Sequence, residues 1–263
     1  HPGGRLPAPM RRPAFASLAV VAVLAGTACV STAPASRTSA AGASETSPPH
    51  VPTDELHWLR ASAEYRAITI QTFRAALAAA EKLSAGKAAG SWGVSVDADE
   101  TIIDNSGYEV ELQRKGLVHT DPAWVEWVRR RGRPAVPGAA AFLSGVQKLG
   151  GRVAVVTNTA QSLCADVAAN LDSVALPHDI LVCRPDDAGD RKESRWESIA
   201  NGTARPDLGR VEILVWVGDN IQDFPGQSQS LRDEPEAAFE DFGVRFFALP
   251  NPIYGTWEKS LPR

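Results

Sequence analysis

The sequence predicts an α/β fold built on a parallel sheet, and three observations carry that reading. Apolar runs of strand length at 93–96, 152–156 and 211–217 are separated by segments with helical spacing. The runs are predominantly apolar rather than alternating, as strands covered by helices on both faces are. Each then delivers polar groups: Asp97-Ala98-Asp99, Thr157-Asn158, and Gly218-Asp219-Asn220 with Asp223. The carboxyl ends of strands in an open parallel sheet are where α/β proteins bind ligands. A lone strand-terminal Asp is more often a turn former or a cap. Three such ends on one edge are a stronger signal.

From the start of the chain, Met10-Arg11-Arg12 is a short basic segment, 15–25 is mostly apolar, and Gly26-Thr27-Ala28 places small residues before Cys29. This is the pattern of an export signal, its apolar part being too short to span a bilayer comfortably. Residues 1–28 are therefore read as an upstream extension plus signal. Residues 29–53 are dominated by Ser, Thr, Ala and Pro with little to bury, the composition of a disordered tether with a reach of roughly 25 Å. The folded domain is 54–263.

Within that domain, Leu56, Leu59, Tyr65, Ile68, Phe73, Leu77 and Ala80 recur at helical spacing with no Pro or Gly, which predicts one long amphipathic helix over 54–84. After the strand at 93–96, helices are expected at 106–115, 123–131 and 138–149. Asp121 is read as the cap of the second, and Pro122 as its first helical residue. Alternation follows: strand 152–156, helix 161–173, strand 180–183, helix 192–200, strand 211–217, helix 237–242, strand 244–249. No internal repeat is present.

The net charge of −4 offers no basic footprint for nucleic acid. Of the 3 cysteines, Cys164 and Cys183 fall in the folded domain. They either pair, as an oxidising compartment permits, or are two buried thiols. With no thiolate or imidazole at hand, Asp97 and Asp219 make a hard oxygen site that suits magnesium.

Lys192, in Asp190-Arg191-Lys192-Glu193, lies between the second and third acidic or polar strand ends. In that order the residues resemble the haloacid dehalogenase superfamily, with its Asp-x-Asp-x-Thr, Thr or Ser, Lys and acidic motifs. Asp97 through Asn105, Gly218 through Phe224, Leu249 through Glu258 and the block from Trp58 to Gln71 are similar to one branch. That branch is the class C acid phosphatases, bacterial lipoprotein 5′-nucleotidases. The resemblance covers about residues 55 to 260 and implies a three-layer αβα core with a parallel sheet, plus a small helical subdomain from the first helix and part of 105–150.

The resemblance also implies roles. Asp97 is the nucleophile that forms an aspartyl phosphate, and Asp99 is the general acid and base. Mg²⁺ is held by the carboxylates of Asp97 and Asp219 and the backbone carbonyl of Asp99, with Asp223 supporting its waters. Thr157, Asn158 and Lys192 bind the phosphoryl group, Thr157 and Lys192 being counted as catalytic. Trp124 and Tyr254 sandwich a nucleobase, while Trp127 is read as core. The substrates implied are phosphomonoesters, nucleoside 5′-monophosphates among them, and a homodimer is compatible with the family.

For bland alternatives, Thr157 is a helix cap and Lys192 a solvated surface lysine. Position 159 is Thr where the family usually has Arg, which removes a cation near the substrate. The same resemblance favours lipidation of Cys29 and a place in the bacterial cell envelope, on the outer membrane, with no membrane attachment beyond that anchor. Cleavage near Ala28 to give a secreted or periplasmic protein is the other outcome. A non-catalytic lipoprotein module on the same fold, and a phosphotransferase, are the rival functions.

Overall fold

The computed structural model describes residues 52–259. The signal, the Cys29 anchor and almost all of the tether lie outside the described residues. Five parallel strands form one sheet in the order β3-β2-β1-β4-β5. They are β1 (Trp92–Val96), β2 (Arg152–Ala160), β3 (Ile180–Arg184), β4 (Glu212–Gly218) and β5 (Phe246–Ala248). From β1 the chain builds outward through β2 to β3, then returns to place β4 on the other side of β1. That reversal opens a crevice beyond the carboxyl ends of β1 and β4, where open α/β sheets take their ligands.

Alternate residues supply two cores. On one face Val94, Val96, Val153, Val155, Val215 and Val217 pack under α2 (Ala63–Leu83), α5 (Ala139–Lys148) and α6 (Cys164–Ser173), which contribute Phe73, Phe142, Leu143 and Val167. On the other, Ala154, Val156, Trp216 and Phe246 meet Trp196 and Ile199 of α7 (Glu193–Ala200) and Phe224. Ser95, facing this second core, accepts a 2.9 Å hydrogen bond from the Trp196 indole. β1 is buried along its whole length, so residues at its end are fixed by a rigid element.

The expected helix over 54–84 is two helices, α1 (Asp54–Ala61) and α2, parted at Ser62. Ser62 is extended (φ −82°, ψ 142°), and its hydroxyl accepts from the Tyr65 amide at 3.0 Å. A serine competes with the helix by capping, and here the cap wins over continuous periodicity. The break separates two tasks. α2 lies on the sheet, whereas Arg60 of α1 donates to Ser106 of α3 (Ser106–Lys115) at 2.7 Å. The helical portion is therefore α1, α3 and α4 (Asp121–Arg129), without α2.

α4 is capped by Thr120 rather than Asp121, with Asp121 acidic in its first turn. β2 runs four residues beyond the expected 156, so Thr157 and Asn158 are strand residues and Thr157 is no helix cap. The expected helix at 237–242 is only a 3₁₀ turn over Glu236–Phe239, and the last strand is just Phe246–Ala248. Cys164 and Cys183 form a disulfide that ties the start of α6 to β3, with Cα atoms 5.8 Å apart.

Candidate active site

Asp97 directly follows β1, and its amide donates to Val217 of β4 at 3.0 Å. Asp219 directly follows β4. Asp223 ends a 3₁₀ turn over Ile221–Asp223, where its Oδ2 accepts from the Asn220 amide at 2.9 Å. Gly218 permits this return, because a Cβ there would overlap the Asp223 side chain. Strand ends and one tight turn thus bring carboxylate oxygens of Asp97, Asp219 and Asp223 within 4.8 Å of one another.

Lys192 is 2 % exposed, which rules out a solvated surface lysine. Its ammonium contacts Asp97 and lies 2.7 Å from Asp223. Burial alone would lower its pKa, but Asp223 and Asp97 beside it raise it, so it is held charged. Three carboxylates against that one ammonium leave two formal negative charges. Burial, then repulsion from Asp223, pushes the Asp219 carboxyl up to about 7, against hydrogen bonds from Asn251 and Thr101. Burial also drives Asp97 well above the usual carboxylate range, with Lys192 opposing. Such a cluster carries more negative charge than Lys192 offsets. All-oxygen donors with no nitrogen or sulfur ligand fit a hard divalent ion.

Asp99 points elsewhere. Its Oδ1 accepts from Arg133 Nη1 at 2.9 Å and from Asn105 Nδ2 at 3.0 Å, and its Oδ2 from Thr159 Oγ1 at 2.9 Å and Thr157 Oγ1 at 3.4 Å. Joined to this network through the same Asn105 is Glu100, a buried residue at φ 56°, whose carboxylate accepts from the Asn105 amide at 2.8 Å and side chain at 3.2 Å. A non-glycine residue in the left-handed region is a strained turn of the kind found at functional sites. Burial pushes the Glu100 carboxyl up as well.

Above the carboxylates is a cavity of about 510 Å³. Asp97, Asp99, Asp219 and Asn158 line it, together with Trp124 and Tyr254. A second cavity of about 630 Å³ shares Trp124 and Tyr254 and adds Tyr108 and Ile253. Trp124 is braced by Tyr108, ring centroids 5.4 Å apart at 75°. Tyr254 is set by Asn251, whose Oδ1 accepts from the Ile253 and Tyr254 amides while its Nδ2 donates to Asp219 at 2.8 Å. Trp127 is half-buried rather than fully core, and its indole donates to Asn105 Oδ1 at 3.0 Å.

Thr157 is fully buried beneath the cavity, bonded to Asp99 and accepting from the Thr159 amide at 3.0 Å. Thr159, at the position read as a lost cation, spends its hydroxyl on Asp99. Arg195 sits behind Asn158, 2.6 Å from its Oδ1 and 2.5 Å from the Thr157 carbonyl. Sequence reasoning missed Arg133, Arg195 and the roles of Asn105 and Asn251. Arg133 ends the run Arg129-Arg130-Arg131-Gly132-Arg133, which reads as solvated surface, and nothing local marks the one arginine that turns inward.

A parallel sheet with carboxylates at the β1/β4 reversal and a buried lysine among them is the arrangement of a haloacid-dehalogenase-like fold. The family model for the HAD superfamily, subfamily IIIB (acid phosphatase), matches residues 17–257. The chain belongs to that family and is a phosphatase. Among solved structures it is similar to the class C acid phosphatase from Bacillus anthracis, with 24 % identity over 78 % of this chain and 86 % of that one, and a TM-score of 0.67. The same enzyme with tungstate bound gives 23 % identity, the same coverages and a TM-score of 0.66. These likenesses bear out the αβα core. Phosphatases of this superfamily are metal-dependent, and the carboxylate cluster is where this chain offers ligands.

Proposed function

We propose that the protein hydrolyses phosphomonoesters, nucleoside 5′-monophosphates among them, through an aspartyl phosphate on Asp97 and with Mg²⁺ as its ion. The observation that carries this reading is the pairing of Asp97 with buried Lys192 at the end of β1, with Asp99 two residues on and bonded to a different set of donors. One carboxylate is paired with the buried ammonium of Lys192 beside two further carboxylates. The other is held apart for proton transfer.

Asp97 attacks phosphorus, and the P–O bond to the leaving alcohol breaks as the acyl phosphate forms. Asp99 gives its proton to the departing oxygen, then takes one from the water that cleaves the acyl phosphate, so the enzyme returns to its starting state. Lys192 stabilises charge on the nucleophile and the phosphoryl oxygens, and Asn158, lining the cavity, offers them an amide. Thr157 holds the floor through Asp99, its hydroxyl donating to Asp99 and accepting from the Thr159 amide, and would meet the phosphoryl group only by giving up the bond to Asp99. Asp97, Asp219 and the Asp99 carbonyl would hold magnesium, with Asp223 behind them, and the bound ion offsets the charge that phosphate and nucleophile bring together. Trp124 and Tyr254, both facing the leaving-group space, favour an alcohol that carries a flat ring.

A release assay over a panel of phosphomonoesters, with magnesium and with chelator, tests this. Phosphate release that needs the ion and favours nucleotides is the expected result; no release from any ester would support a non-catalytic module. Transfer to an added alcohol in preference to water would instead favour the phosphotransferase reading. The envelope location rests on the leader pattern and the family resemblance; among the described residues no helix is long and apolar enough to cross a membrane. We propose lipidation at Cys29 as the attachment, and Cys29→Ser should move the protein from the membrane to the soluble fraction without changing specific activity. An unchanged distribution would refute the anchor.

A further inference from the structure

Arg133 is buried to 1 % exposure, yet among the described residues its Nε and Nη2 make no hydrogen bond. Its side chain makes one polar contact, Nη1 to Oδ1 of Asp99 at 2.9 Å. Burying a guanidinium with two donors unpaired is costly. A residue that breaks the rule of satisfied burial this openly is the kind found where function overrides stability. The backbone is well anchored, its amide and carbonyl both bonded to the Asn170 side chain at 2.9 Å. The arginine is therefore held in place to reach Asp99.

The two oxygens of Asp99 meet donors of different kinds. Oδ1 faces Arg133 and the Asn105 amide, groups that can only donate and whose planar geometry fixes their direction. Oδ2 faces the hydroxyls of Thr159 and Thr157, which rotate and can donate or accept. A proton on Oδ1 would point at two obligate donors, while on Oδ2 it meets groups that can turn away.

We infer that Arg133 is a positioning residue for the phosphatase reaction: it clamps Oδ1 of Asp99 so that Oδ2 is the oxygen that passes a proton to the leaving group. This rests on the role proposed for Asp99. Asn105 completes the clamp and is itself set by the Trp127 indole from α4, the helix that carries Trp124. Thr159 fits the same scheme, a hydroxyl on Oδ2 rather than a cation that could only donate there.

The test compares kcat/KM for an alkyl phosphate, whose alkoxide needs a proton to leave, with that for p-nitrophenyl phosphate, whose phenolate does not. In Arg133→Met the alkyl ester should lose about 10- to 100-fold, and at least about five times more than the aryl ester. Arg133→Lys keeps the charge but not the fork and should show the same bias at smaller size. Circular dichroism and melting are followed in parallel, and if the Met variant does not fold, the Lys variant decides. Equal losses on both esters, or none on the alkyl ester, would overturn the inference. Wild-type protein inactive on both esters would instead count against the phosphomonoesterase reading itself.

Discussion

Lys192→Met gives the sharpest reading of how the site is held together. The substitution keeps most of the side chain's volume but leaves Asp97 and Asp223, 9 % and 5 % exposed, without the ammonium between them. Removing one partner of a buried ion pair costs about 3–5 kcal/mol, because the remaining charge is uncompensated. In a domain of this size 1 kcal/mol moves the melting temperature by about 2–4 °C, so the metal-free variant should melt roughly 6–20 °C below the metal-free parent. Saturating magnesium should recover part of that gap, since a cation among the same carboxylates replaces the missing charge. Acid should narrow it too, as Asp97, whose carboxyl burial already holds above the usual range, takes up a proton. Melting by circular dichroism at pH 5 and 7.5, with chelator and with magnesium, reads all these effects. A variant that melts with the parent in chelator, or whose deficit ignores both magnesium and pH, would refute the premise that Lys192 compensates buried charge.

The gain in melting temperature on adding magnesium should itself grow from pH 5 to above 7. The Asp219 carboxyl, held up to about 7 against its ordinary 3.8, keeps its proton in the metal-free fold where the unfolded chain has lost it, so metal-free stability falls across that window while ion binding must expel the proton. A gain independent of pH would place the ion elsewhere. Trp124→Ala and Tyr254→Ala should each raise KM for nucleoside monophosphates by about five- to a hundred-fold, the span of 1–3 kcal/mol of stacking, and affect a small alkyl phosphate less. Equal losses on both substrates, with the fold intact, would argue against a base sandwich.

What sequence made legible follows from range. β1 and β4 announce themselves because a strand buried on both faces is predominantly apolar, and a carboxylate just beyond each of two neighbouring strand ends is a stronger signal than one alone. Asp97, Asp219, Asp223 and Lys192 therefore converge as expected, and the lysine proves buried. Three strand ends could be read together because a parallel sheet presents them on one edge. The break at Ser62 was hidden, since the apolar spacing continues across it and only the cap marks the change. Asn105, Asn251 and Arg133 reach the site across loops, and a polar residue in a loop looks the same whether it faces water or a neighbour's carboxylate. Arg133 is the extreme case, buried at the end of an arginine-rich run. Pairing of Cys164 with Cys183 likewise depends on α6 starting beside the end of β3, a placement that spacing alone does not carry.

The central claim is that Asp97 carries the phosphoryl group. Rapid acid quench of the enzyme turning over a labelled phosphomonoester, followed by peptide mapping, measures it directly. Label on the peptide containing Asp97 in the parent, with none and negligible turnover in folded Asp97→Asn, is the predicted result, because the amide cannot form an acyl phosphate. Label on another residue, or turnover by Asp97→Asn near that of the parent, would contradict the account.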